Sequence, residues 1–100
     1  MAVYIDNFNA TFGRMKMCHM IADTTEELLS MVDKIGVQKK WIQKQGTANE
    51  HFDISLAKKK LAIENGALEI GFRTYANCVE YRKEFGRLPD NIELLSNTLF

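Results

Sequence analysis

Met15-Lys16-Met17-Cys18-His19-Met20-Ile21-Ala22-Asp23-Thr24-Thr25-Glu26-Glu27 decides the fold of this chain. Its first eight residues are mostly apolar and too few for a buried helix, so they read as a strand running through the core. A period of two puts His19, Ile21 and Asp23 on one side and Cys18, Met20 and Ala22 on the other. Asp23 or Thr24 then caps a helix, each with a glutamate three residues on, and both glutamates favour the positive end of the helix dipole. Leu28, Met31, Val32 and Ile35 recur at helical spacing, and Gly36 supplies the stop. A strand therefore runs directly into a helix, with His19 and Asp23 near the junction. In open α/β folds ligands bind at that edge of the sheet.

Outward from this stretch, Ala2 to Asp6 reads as a short strand with Val3 and Ile5 on one face and Tyr4 and Asp6 on the other. Asn7 to Arg14 reads as a connecting loop. Val37 to Gln43 is expected as a short third strand, and the polar Lys44 to Glu50 as a mobile loop. His51 to Ile54 follows, and Ser55 caps a second helix through Leu56, Ala57, Leu61 and Ala62 that ends at Asn65-Gly66. Ala67 to Phe72 is expected as a strand. Thr74 is expected to open a third helix that carries Tyr75, Cys78, Val79 and Arg82 and closes near Gly86. Asp90-Asn91-Ile92-Glu93 is a capping box for a short terminal helix with Leu94, Leu95 and Leu99. The alternation of strands and helices predicts a single α/β domain over residues 1–100, a mostly parallel sheet of three to five strands covered by helices, with residues 74–100 helical.

Composition narrows the function classes. At 100 residues with 46% apolar residues and one proline, the chain holds one core and is not a disordered tail. Thirteen basic residues balance thirteen acidic ones, so no global charge steers it to long nucleic acid or an anionic membrane. No apolar run reaches the roughly eighteen residues of a membrane span, and the amino terminus lacks a signal-peptide pattern, so a cytoplasmic protein is expected. Cys18 and Cys78 show no zinc or redox spacing and are expected as packed, reduced thiols. Sheet edges in so small a domain favour a homo-oligomer.

The candidate site comes from the two histidines, each close to an aspartate: His19 with Asp23, and His51 with Asp53. A nearby carboxylate orients an imidazole, raises its pKa or shares a metal with it. One reading gathers Asp6, Arg14, His19, Asp23, His51 and Asp53 in one cleft, where a divalent Zn, Mn or Fe ion would suit the mixed nitrogen and oxygen donors. No donor pair has helical i,i+4 spacing, and no metal ligand is assigned. A second reading is an anion pocket: Arg14 grips a phosphate with its planar fork, Lys39 and Lys40 add charge, and Trp41 stacks on a base. A third is a structural one, in which Arg14 pairs with an acid, Trp41 anchors the core and Lys58-Lys59-Lys60 is a solvated face. For catalysis the candidates are His19, His51 and Asp53, but no nucleophile elbow, phosphate loop or dinucleotide fingerprint is present.

The segments Val3-Tyr4-Ile5-Asp6, Phe12-Gly13-Arg14, Cys18 to Thr24, His51-Phe52-Asp53-Ile54 and Asn65-Gly66-Ala67 resemble a small bacterial and phage family, catalogued as domain of unknown function number four thousand and thirty-one. The resemblance covers residues 1–75 and marks Asp6, Arg14, His19, Asp23, His51 and Asp53 as positions to test. Phe52 stands where the family usually has Tyr. Relatives fused to metal-dependent phosphohydrolase domains imply nucleotide or phosphate metabolism, and in a phage such a protein could sequester a host defence signal. The expectation is a protein that binds a phosphorylated small molecule, a nucleotide or nucleotide-derived signal, with Asp6, Arg14, His19, Asp23, Lys40, Trp41, His51 and Asp53. The alternatives are a metal-assisted or general-base phosphoester or glycosidic hydrolase using the same cluster, and a non-catalytic interaction protein.

Overall fold

Alternating apolar residues from both ends of the first half of the chain meet as paired strands in a computed structural model, which describes residues 2–8, 10–12 and 15–95, with backbone alone for 10–12. The strands are β1 (Val3–Ile5), β2 (Ala10–Phe12), β3 (Met15–Ala22), β4 (Phe52–Ser55) and β5 (Leu68–Glu69). The helices are α1 (Thr25–Ile35), α2 (Leu56–Glu64) and α3 (Phe72–Phe85), with 3-10 turns at Lys39–Trp41 and Ile92–Leu95.

The sheet is mixed, which corrects the mostly parallel arrangement expected from the alternation of elements. β1, β2 and β4 all pair antiparallel with β3, and only β5 runs parallel, against β1. Met20 pairs with Ile5 on β1 and with Phe52 on β4, and Met17 pairs with Ala10 on β2 and with Ser55 on β4. A strand has two edges, so β1 and β2 share one edge of β3 while β4 takes the other. The sheet is thus four positions across, β4-β3-β1-β5, with β2 continuing the line of β1. Strand-helix alternation implies crossovers only when each strand is followed by one, and β1, β2 and β3 follow each other without a helix between them.

Part of the segment read as a loop, residues 7–14, is therefore β2. The third strand expected at Val37 to Gln43 is instead the 3-10 turn and a single antiparallel bridge, Gln43 with His51. The strand at Ala67 to Phe72 shrinks to two residues, and α3 opens at Phe72, whose amide donates to Asn7 Oδ1 at 3.0 Å. That cap comes from 65 residues away in sequence and has no local signature. The terminal capping box forms a 3-10 turn, with Glu93 N donating to Asn91 Oδ1, while Leu99 lies outside the described residues.

Period two on β1 and β3 builds both layers. Val3, Ile5, Cys18, Met20 and Ala22 face α1 and α2, where they bury Leu28, Met31, Val32, Ile35 and Ala62 together with Phe52 and Ile54 of β4. Tyr4 and Ile21 face α3 and pack with Tyr75, Cys78, Leu88 and Leu95. Helix ends follow the local chemistry. Thr24 Oγ1 accepts from Glu27 N, and Ser55 Oγ accepts from Lys58 N. Gly36 takes φ +77°, the left-handed turn that glycine adopts at least cost. Lys58 Nζ donates to Ile35 O at the negative end of α1, and Lys59 pairs with Glu69, so the lysine run is split between separate partners. Both cysteines are buried thiols outside any disulfide, and burial pushes Cys78 up to about 12. Among the described residues, no helix is long and apolar enough to cross a membrane.

Phe52 is fully buried at the centre of the larger layer. Phe52→Ala should cost about 3–5 kcal/mol in urea unfolding, and Thr24→Ala, which removes a cap, about 1 kcal/mol. Equal effects of the two substitutions would contradict this packing.

Candidate functional site

His19 and Asp53 are directly opposed across the antiparallel β3–β4 pair, so their side chains leave the same face of the sheet. His51 lies two residues before Asp53 and shares that face by the strand period. Its place is held by the bridge to Gln43, in which Gln43 N donates to His51 O at 2.9 Å and His51 N to Gln43 O at 3.1 Å. Cross-strand register and period two thus bring two imidazoles and a carboxylate together beneath the start of α3. The ring centroids of His19 and His51 are 5.5 Å apart.

Each of the three groups is held from behind. Asp6, 0% exposed, closes the end of β1 by accepting from His19 N at 2.9 Å through Oδ1 and meeting His19 Nδ1 at 2.6 Å through Oδ2. Asp6 N in turn donates to His19 O, so side chain and main chain together replace one rung of the ladder. His51 Nδ1 lies 2.6 Å from Asn49 O. A carbonyl only accepts, so the His51 proton sits on Nδ1 and its lone pair on Nε2. Asp53 Oδ2 accepts from Gln43 Nε2 at 2.6 Å. What remains points inward: Asp53 Oδ1 is 3.5 Å from His51 Nε2 and 3.9 Å from His19 Nε2.

His19, His51 and Asp53 each offer a donor atom within 4.8 Å of those of the other two. Ligands on a tetrahedral ion at about 2.0–2.1 Å sit roughly 3.3 Å apart, so the two contacts to Asp53 need little contraction to close on a metal and the longest edge of the triangle about 1.5 Å. Its outer contacts, a carboxylate behind one histidine, a backbone carbonyl behind the other and an amide behind the aspartate, are those that orient metal-ligating side chains. Tyr75 adds rigidity from α3. Its ring stacks on His19 at 4.7 Å and 10°, and its hydroxyl donates to Asn49 Oδ1 at 3.4 Å. Burial pushes that hydroxyl far above its ordinary range, so it stays protonated.

The remaining expected site residues are dispersed. Asp23 accepts from Ala2 N through Oδ2 and hydrogen-bonds the Tyr4 hydroxyl, whose pKa is raised to about 12 mainly by burial. It serves the strand-helix junction. Lys39 pairs with Asp33, and Lys40 sits over Trp41, which is 62% exposed on the 3-10 turn and anchors no core. Arg14 lies outside the described residues. The loop at 44–50 is tied down: buried Glu50 accepts from Thr25 Oγ1 and from Gly46 N, which presents Asn49 to His51. Gln43, Asn49 and Tyr75 carry no signal of this role in the sequence: Asn49 acts through a backbone carbonyl, which any residue has, and Gln43 Nε2 and the Tyr75 ring reach the site through contacts distant in sequence.

A family model described as Protein of unknown function (DUF4031) matches residues 3–82, and the chain belongs to that family. The match runs from β1 into α3 and takes in Asp6, His19, His51, Asp53 and Tyr75. Comparison with curated proteins and with solved structures gives no match.

The pKa of His19 is raised above 6.5, first by the hydrogen bond to Asp6 and then by the charges of Asp6 and Asp53, against the lowering effect of burial. The folded ring holds its proton more tightly than the unfolded chain does. Its contribution to stability is full below about pH 6.5 and is lost as pH rises through the folded value. Thermal melts of metal-free protein should show the midpoint falling across that window, and Asp6→Asn should flatten the slope. A wild-type midpoint that rises there would contradict the pairing.

Proposed function

We propose that the chain holds a divalent metal ion on His19 Nε2, His51 Nε2 and Asp53 Oδ1, and uses it to bind and hydrolyse a phosphorylated small molecule. The observation that carries this reading is the convergence of two imidazole Nε2 atoms on one carboxylate oxygen, with each Nδ1 already engaged behind. Two histidines and one carboxylate leave open positions on an ion, as catalytic rather than structural sites do. Held by His19, His51 and Asp53, such an ion would supply Lewis-acid polarisation of a phosphoryl oxygen and acidify water near it.

The residues of the chain supply the rest. Asp6 and Asn49 O fix both rings in the tautomer that presents Nε2, and Gln43 turns Asp53 so that Oδ1 faces them. Tyr75 covers one face of His19 and limits water on that side. The carboxylates and aromatic rings around the triangle do not attract a phosphate unaided, and a His19 ring that ligates through Nε2 carries no positive charge of its own. A bound ion would provide the positive charge expected of Arg14, Lys39 and Lys40. This favours the hydrolase among the readings of the cluster, with phosphate binding as its first step.

Zinc or manganese uptake by desalted protein should approach about one ion per chain by elemental analysis. His51→Ala and Asp53→Ala should abolish it. Asp6→Asn should weaken it by roughly 10–100-fold, the usual effect of removing an outer partner. The loaded protein should release phosphate from phosphomonoesters, or an alcohol and a monoester from phosphodiesters, and a chelator should stop either reaction. Absence of uptake by the wild-type chain would overturn the metal site, and uptake without turnover of any ester would reduce the protein to a binder.

A further inference from the structure

Beside the triangle the surface carries an aromatic wall that the metal chemistry leaves unused. Phe8 is 49% exposed and Phe72 is 40% exposed, yet their rings meet at 4.4 Å between centroids, inclined by 31°. Both rings approach the His19 ring, at 6.1 and 6.2 Å, and Phe72 lies 6.1 Å from Tyr75. Two half-exposed aromatic rings therefore adjoin a polar cluster on the same face of the sheet.

The wall is constructed by the same residues that hold the site. Asn7 Oδ1 accepts from Phe72 N and so ties the start of α3 to the end of β1. Phe8 N approaches Asp6 Oδ1 at 3.4 Å, on the carboxylate that orients His19. Phe8 and Phe72, 64 positions apart in sequence, are thereby fixed on either side of one anchored turn. Apolar surface left open to water is unfavourable in proportion to its area, and a flat aromatic occupant would cover it through stacking while keeping its polar edge wet.

We propose that Phe8 and Phe72 are the stacking face for a nucleobase, so that the phosphorylated molecule taken by the metal centre is a nucleotide. The phosphate half of this assignment rests on the proposed metal site, whereas the stacking half does not. A base on the wall would place its sugar phosphate toward His19 and Asp53, because the wall borders the triangle at the His19 ring. Base stacking tolerates all four bases, since each has a π-face, so selectivity among them is expected to be slight. The role first expected of Trp41 falls to two phenylalanines contributed by the ends of different elements.

The two halves are tested separately. Metal-free protein, in chelator, is titrated with adenosine, guanosine, cytidine and uridine while the ring protons of Phe8 and Phe72 are followed by NMR. At least the two purine nucleosides should shift both rings upfield, and Phe8→Leu or Phe72→Leu, which keep apolar bulk but lose the ring face, should each weaken binding roughly tenfold. On zinc-loaded protein, adenosine monophosphate should bind about tenfold more tightly than ribose 5-phosphate, which differs only by the base. The assignment is overturned if no nucleoside moves either ring, if the leucine variants bind as well as wild type, or if the ring signals shift on protein dilution instead, the mark of a face between copies of the chain. Failure of zinc uptake with nucleoside shifts retained would remove the metal reading and leave the wall standing.

Discussion

A buried carboxylate, Asp6, governs the site. Fully enclosed, it would be costly without donors, and it finds its two shortest on one residue of the neighbouring strand: His19 offers its main-chain N–H and its Nδ1 together, with Phe8 N as a longer third. Accepting both ends the regular ladder between β1 and β3, so the chain leaves the sheet after Ile5 and rejoins it at β2 on the same edge. The same contact turns His19 so that Nε2 faces Asp53. Fold and site therefore share one interaction, and its loss would disturb ring orientation and strand pairing at once.

Everything else around the triangle reinforces that orientation. The β3–β4 register sets His19 opposite Asp53, the Gln43 bridge pins His51, and the tied turn at Gly46 to Glu50 delivers the Asn49 carbonyl. Donor groups on strands, backed by hydrogen bonds from loops, hold geometry more closely than donors on loops alone. The opposite layer contributes by being inert: Phe52 and Ile54 alternate with Asp53 into the apolar core beneath α1 and α2, which keeps β4 in register.

Much of this was legible in the residues. The extent of β3, the Thr24 and Ser55 caps, the Gly36 stop and the two-faced alternation of β1 follow from periodicity and end chemistry, which are local. Period two alone places His51 with Asp53. Strand order is not local, and the mixed sheet came from pairings between segments whose connection lengths the sequence does not rank. The backs of the site were hidden for the same reason. Asn49 acts through its carbonyl, Gln43 through a bridge outside any strand, and Phe8 meets Phe72 where Asn7 ties to the start of a helix 65 residues away. Trp41, the single tryptophan, drew attention by its type and turned out to be solvent-exposed beside Lys40.

In the neutral state both imidazoles are locked with the proton on Nδ1 and the lone pair on Nε2. Two-bond proton–nitrogen correlation spectra of the histidine rings read this directly, at a pH where both are neutral and without metal. A histidine side chain free in water prefers the opposite, Nε2–H tautomer, so the outcome is diagnostic. The structure predicts the Nδ1–H form for His19 and His51 alike, with both Nε2 signals shifting when zinc is added. An Nε2–H form in either ring, or zinc that leaves both Nε2 signals unmoved, would contradict it.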